Sequence, residues 1–107
     1  MSEERRISLG AARERLSRLP TAYVELWQRG DVSVEYYAPR GVDDQHPHDR
    51  DEIYIVASGS GRFRNGDAAD PFGPGDFLFV PAHAVHRFED FSDDFGTWVV
   101  FFGPKIP

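Results

Sequence analysis

Glycine and proline are distributed so unevenly along this chain that they set its fold class. Nine of the ten Gly and seven of the eight Pro lie at or beyond Gly30 and Pro39. Gly admits positive φ and Pro lacks a backbone donor, so such punctuation cuts a chain into short extended pieces. The body reads accordingly as strands over residues 23–27, 32–38, 46–58, 62–64, 77–80, 87–90 and 97–102. Within the second, Val32, Val34 and Tyr36 share a face. Asn65-Gly66 marks a two-residue hairpin, and residues 71–75 read as a loop. Many short strands in 107 residues predict a single all-β sandwich or barrel.

The segment before that body is different. Ser8 can cap a helix over residues 9–18, with Leu9, Ala12 and Leu16 near one face and Pro20 closing it. A helix of about three turns is marginal alone and must dock on something. The expected organisation is therefore an N-terminal segment, 1–22, carrying a short helix, and a β domain, 23–107. Two strands of that domain, Phe77-Leu78-Phe79-Val80 and Trp98-Val99-Val100-Phe101-Phe102, are apolar at every position. A half-exposed antiparallel strand alternates, so both faces of these two should be covered. The helix is too short to cover all of the outer side, and Ile53 and Ile55 add to it. A homodimer is the expected remedy.

Composition excludes several roles. Twelve basic residues against eighteen acidic leave a net charge of −6, which argues against a nucleic-acid partner. There is no Cys, hence no disulfide, thiolate metal site or Cys nucleophile. No apolar run approaches a membrane span, and the first residues lack the apolar stretch of a signal peptide, so a soluble, cytoplasmic domain is expected. Nucleophile elbows, phosphate-binding Gly loops and dinucleotide fingerprints are missing as well.

What remains is a histidine constellation. His46, His48 and Glu52 have the same parity, so an extended chain would present two imidazoles and a carboxylate to one side. Tyr54 and Val56 follow on that side, and His86 precedes a later strand. Three neutral imidazoles and one carboxylate suit a single divalent ion: Fe, Mn, Ni, Co or Zn. On an octahedral ion, four protein ligands leave two positions open. Against this stands a plainer reading of residues 46–52 as a solvated, charged loop.

The arrangement also resembles the cupin superfamily, as a small single-domain metal-binding cupin. The first cupin motif appears as Gly41, His46-Pro47-His48, Glu52 and Gly59, one residue short between Gly41 and His46. The second appears as Gly75, Pro81-Ala82-His83, His86 and Asp90, with His83 where the family usually has Gly and Asp90 where it usually has Asn. The resemblance implies a cupin β-barrel (jelly roll, or double-stranded β-helix) holding one divalent metal through His46, His48, Glu52 and His86. His83 is either a small backbone strain, since a turn Gly permits positive φ, or a pocket residue. Tyr54, Phe63, Phe79 and Trp98 are further candidates for a small-molecule pocket. Plain core packing is the alternative for each. Arg62 and Arg64 could hold an anion or merely coat an edge. Cupins include dioxygenase-like and isomerase-like metalloenzymes, binding or sensing modules and structural barrels, so the fold alone selects none of these.

Overall fold

The computed structural model describes residues 5–107. Met1 to Glu4, part of the expected N-terminal segment, lie outside the described residues. The chain forms α1 (Leu9–Ser17), β1 (Tyr23–Arg29), β2 (Val32–Tyr37), β3 (Asp51–Ser58), β4 (Gly61–Asn65), β5 (Ala68–Phe72), β6 (Phe77–Val80), β7 (His86–Glu89) and β8 (Gly96–Phe102). Ser8 caps α1 by accepting from the Ala11 amide at 3.0 Å, which satisfies one of the free donors of the first turn.

The strands make two antiparallel sheets, ordered β1-β2-β8-β3-β6 and β5-β4-β7. They pack face to face as a jelly-roll sandwich rather than closing into one hydrogen-bonded barrel. The space between them holds Tyr37, Tyr54, Val56, Phe63, Phe72, Val80, Phe88, Phe95 and Val99. Phe88 is its hub, with Phe63, Tyr54 and Phe95 rings centred 4.6–4.9 Å away. A second, smaller core lies outside the large sheet. There α1, through Ala12, Leu9 and Leu16, covers Val24, Leu26, Tyr36 and Trp98.

Three details differ from expectation. The hairpin after β4 pairs Asn65 with Ala68, so its two-residue loop is Gly66-Asp67, with Gly66 at φ 65° supplying the left-handed turn position. β5 contains Pro71 and is nonetheless a strand. It is an edge strand, where a missing donor disturbs no neighbour. Third, β3 begins only at Asp51; residues 38–50 form an irregular loop carrying His46 and His48. Pro47 between the two histidines provides no donor for a ladder there.

The registers fix which side chains share the interior. Ser33, Phe101 and Glu52 form one row across β2, β8 and β3; Glu35, Val99 and Tyr54 form the next. On the opposite face, Ile53 sits beside Phe79 and Ile55 between Phe77 and Trp98. α1 covers only the β1–β2 side of that face, so Phe77, Phe79 and Ile55 remain 60%, 43% and 37% exposed. The expected double cover of β6 is thus not provided by the described residues. Among the described residues, no helix is long and apolar enough to cross a membrane.

Candidate metal centre

Glu52 stands at the head of the inner row of β3 and is 1% exposed. A carboxylate taken out of water needs partners, because burial without them is strongly unfavourable. Yet neither oxygen of Glu52 has a hydrogen-bond partner, and neither does Nε2 of His86, equally buried at the start of β7. His86 Nε2 and Glu52 Oε1 come within 3.0 Å, and His48 Nε2 lies 3.8 Å from the same oxygen. The ligand atoms of His48, Glu52 and His86 all fall within 4.8 Å of one another. Atoms about 2.1 Å from a common ion stand roughly 3.0–3.4 Å apart at adjacent positions; the His86–Glu52 spacing matches this, and His48 stands somewhat farther out.

The electrostatics agree with that use. Nδ1 of His86 lies 2.9 Å from the Ala84 carbonyl. A carbonyl only accepts, so Nδ1 carries the hydrogen and the Nε2 lone pair points at Glu52. Burial pulls the His86 pKa down, but Glu52 and the Ala84 carbonyl outweigh it and the net shift is upward. Without an ion, a proton between His86 and Glu52 takes its place. Burial, then Glu52, pushes the Tyr54 hydroxyl well above its ordinary value. That hydroxyl donates to Gln45 Oε1 at 3.1 Å.

His48 reaches the cluster from the loop, about a third exposed, with its ring edge against Phe101 at 5.1 Å. Its carbonyl accepts from the His83 amide at 2.6 Å, which ties the loop carrying His48 to the turn before β7. His83 has φ 69°, the left-handed region that a Gly would occupy without strain, and its ring contacts the Ile106 carbonyl rather than the cluster. His46 is exposed and stands outside the three-residue group. The shared parity expected of it requires a regular strand, and residues 46–50 are not one.

Of the candidate pocket residues, Tyr54 and Phe63 are buried beside His86, with Tyr54 centred 6.1 Å and Phe63 6.3 Å from its ring. Phe79 and Trp98 lie on the other face of the sheet, turned away from the cluster by the register with Ile53 and Ile55. Trp98 packs edge-on against Tyr36 at 6.0 Å, within the α1 core. Arg64 pairs with Glu89 at 3.1 Å and Arg62 donates to the Ala69 carbonyl, so both coat the small sheet.

Two further acidic residues on this side of the sheet have no motif to announce them. Asp43 is 1% exposed and accepts from the Tyr37 hydroxyl, the Gln45 side chain and the Phe88 amide. It fastens the histidine-bearing loop to β7. Glu35 faces the interior from β2, with Glu25 directly opposite on β1. Burial, then Glu25, then Glu52, raises its pKa from 4.5 to about 7. The available signal was a lone charge alternating with Val34 and Tyr36.

Comparison with known proteins agrees with this architecture. The profile of the cupin domain family matches residues 33–102. An uncharacterised protein of Streptomyces coelicolor is 34% identical over 86 residues, covering 78% of this chain and 82% of its own. The HTH-type transcriptional activator RhaS of Mannheimia succiniciproducens is 38% identical over 63 residues, 58% of this chain but only 23% of that protein. Among solved structures, a candidate mannose-6-phosphate isomerase of Ralstonia eutropha superposes with TM-score 0.62 at 27% identity, covering 80% of this chain and 88% of the other. The DMSP lyase DddQ of Ruegeria pomeroyi superposes at 0.65 and 24%, covering 77% of this chain and 46% of that one.

Proposed function

The chain belongs to the cupin domain family, and from that premise we propose that it holds one divalent metal ion through His48, Glu52 and His86 and acts on a small molecule there. The observation that carries this reading is the convergence of three buried polar atoms with no hydrogen bond assigned to them, both oxygens of Glu52 and Nε2 of His86, the latter 3.0 Å from Oε1. Such groups are costly unless satisfied, and a cation satisfies all three at once. His46 becomes the fourth ligand if its loop folds inward. An ion with open positions supplies Lewis acidity and, if it is iron, redox chemistry. The chain's own groups have separate tasks. His86 presents a fixed lone pair, Glu52 supplies the negative charge, Tyr54 and Phe63 exclude water, and Asp43 fixes the loop. We place the activity among dioxygenase-like or isomerase-like reactions on a small substrate, in a cytoplasmic homodimer joined through the outer face of β3 and β6.

A second reading has its own support. The match to a transcriptional activator over 58% of this chain favours a non-catalytic module that binds a small molecule through the same ion. One experiment bears on both. Elemental analysis of protein purified without chelator or affinity nickel should give one metal per chain. His86→Ala protein that keeps full metal content would remove this site from consideration. Oxygen consumption that Fe restores and Zn does not would select the oxygenase, because Zn has no redox chemistry. Ligand binding without turnover for either metal would select the module.

A further inference from the structure

Glu35 lies on the inner face of β2, outside the metal cluster, and its surroundings are electrostatically unfavourable. Directly across from it on β1 is Glu25, and like charges opposite each other in an antiparallel pair destabilise a sheet. On its other side β8 presents Val99, which offers no hydrogen bond. Among the described residues no hydrogen bond or ion pair is assigned to its carboxyl, which is half-buried. Arg50, at that end of the sheet, has its guanidinium engaged by the Gly103 carbonyl, Ser33 Oγ and the Asp31 carbonyl. A fold that keeps an unpaired carboxyl against another carboxylate carries a local cost without a structural return. Such conflicts concentrate where a chain meets a ligand.

Its position says which ligand. Glu35 is two strands and one row away from Glu52 on the same face. Strands about 4.8 Å apart and a two-residue step of about 6.7 Å put the two backbones roughly 12 Å apart. Both residues belong to the inner face of the sheet, and the charge of Glu52 is felt at Glu35 across that distance. Resting on the metal reading above, we propose that Glu35 sets the charge selectivity of the site: its carboxylate, on the same inner face as the cluster, favours neutral or cationic small molecules there and disfavours carboxylates and phosphates. Glu25 reinforces it from the lip of the sheet. The raised pKa of Glu35 fits that placement, and its main causes, burial and Glu25, persist when an ion neutralises Glu52.

The test uses the full chain loaded with Co(II), azide as an anionic probe and imidazole as a neutral one, followed by visible absorption at about pH 8. Glu35→Gln removes the charge and keeps the shape. It should bind azide about tenfold more tightly than the unaltered protein, the size expected for a charge at such range in a partly wet interior. The difference should narrow towards pH 6, where the native carboxyl is largely protonated. Imidazole affinity should change less than about twofold, because a neutral probe feels little of the lost charge. Glu25→Gln, on an exposed edge strand that tolerates change, should tighten azide in the same direction by about twofold to threefold, and it serves as the test if Glu35→Gln fails to fold. Equal azide affinity in the native and altered proteins overturns the role of Glu35 and leaves the metal site standing. Failure of the native protein to take up Co(II) overturns the metal reading, and this inference with it.

Discussion

The two faces of β3 depart from ordinary sheet patterning in opposite directions. Inward, Glu52 is a carboxylate that is 1% exposed, with no hydrogen bond to either oxygen and the His86 imidazole 3.0 Å away. Outward, Ile55 with its neighbours Phe77 and Phe79 is apolar and substantially exposed. A sheet that faces water on one side normally buries its apolar residues and exposes its charges. Each face of this strand therefore asks for something the described residues do not supply. The inner face asks for a positive charge small enough to fit among three side chains. The outer face asks for a broad apolar cover. The contrast separates two ways a strand meets its surroundings, since a point demand is met by an ion and an area demand by a surface.

The inner demand should give the largest effect when broken. Fixing the orientation of a metal ligand is commonly worth ten- to a hundredfold in affinity, so losing Glu52 or His86 outright should cost more than about a hundredfold. Competition with a chromophoric chelator measures this for Glu52→Ala and His86→Ala, and affinity within fivefold of native would dismiss the cluster. His46→Ala, outside the cluster in this structure, should cost less than either. Removing the metal from native protein should lower stability by about 2.7 kcal/mol at a hundredfold excess over Kd, read as a fall in Tm with the fold retained by the Phe88-centred core. The pH dependence follows from His86. Its pKa is raised by Glu52 and the Ala84 carbonyl, so a proton competes with the ion up to and above the ordinary imidazole range. Affinity should rise with pH through about 6.5 and continue to rise beyond it. In the metal-free protein the sign reverses: the protonated pair stabilises below that range, and its contribution is lost as pH rises through the His86 value.

The outer demand comes next. If a second copy covers β3 and β6, Phe79→Asp places a charge in the middle of the interface and should weaken association by about 2 kcal/mol or more, the scale of an interface hot spot. Sedimentation at micromolar concentration should find a dimer for the native chain and a monomer for the variant. A native monomer would mean that the exposed Phe77, Phe79 and Ile55 are tolerated in water. Metal affinity should be unchanged in the variant, because Phe79 lies on the face opposite Glu52.

The same contrast explains what could be read from the sequence. Glu52 and the all-β class were legible because period-two alternation within β3 and short-range turn chemistry are local properties, whereas His86 was legible only through its place in the second cupin motif. Phe79 and Trp98 were not, because β6 and the Trp98–Phe102 stretch of β8 are apolar at every position and parity has no starting point there. Only the pairing of Phe79 with Ile53 and of Trp98 with Ile55 shows which way they face, and pairing is long-range. His46 shared a parity with Glu52 that the irregular loop does not honour. β5 was hidden by Pro71, whose penalty vanishes at an edge. Asp43 acts through a hydrogen bond to the Phe88 amide, 45 positions away, and no local pattern announces that.

Glu35 gives a smaller effect that tests the inner face without touching a ligand. Its pKa is raised to about 7, so between 4.5 and about 7 the folded chain keeps a proton that the unfolded chain has lost. Stability should therefore fall as pH rises through that window, then level off. Glu35→Gln should remove the slope and be more stable than native at about pH 8 by about 1 kcal/mol, after allowance for solvent screening of a half-exposed group. Urea midpoints at about pH 5 and pH 8 measure it. Parallel curves for the two proteins would mean that the carboxyl ionises normally and faces water.

The smallest effect concerns how the loop carrying His48 is braced against the turn before β7. The His83 amide holds the His48 carbonyl, and this bond belongs to the backbone, whereas the His83 ring only contacts the Ile106 carbonyl. His83→Gly keeps the first and loses the second. It also relieves the left-handed strain at φ 69°, worth about 1 kcal/mol, against the extra unfolded-state freedom of Gly and one lost exposed hydrogen bond. These terms nearly cancel, so stability should stay within about 0.5 kcal/mol of native and metal affinity within about twofold. His83→Ala keeps the strain and loses the ring, and should be less stable than His83→Gly by a few tenths of a kcal/mol to about 1 kcal/mol. A tenfold loss of metal affinity in His83→Gly would place the imidazole in the site, and the bracing of His48 would then depend on a side chain rather than on the turn.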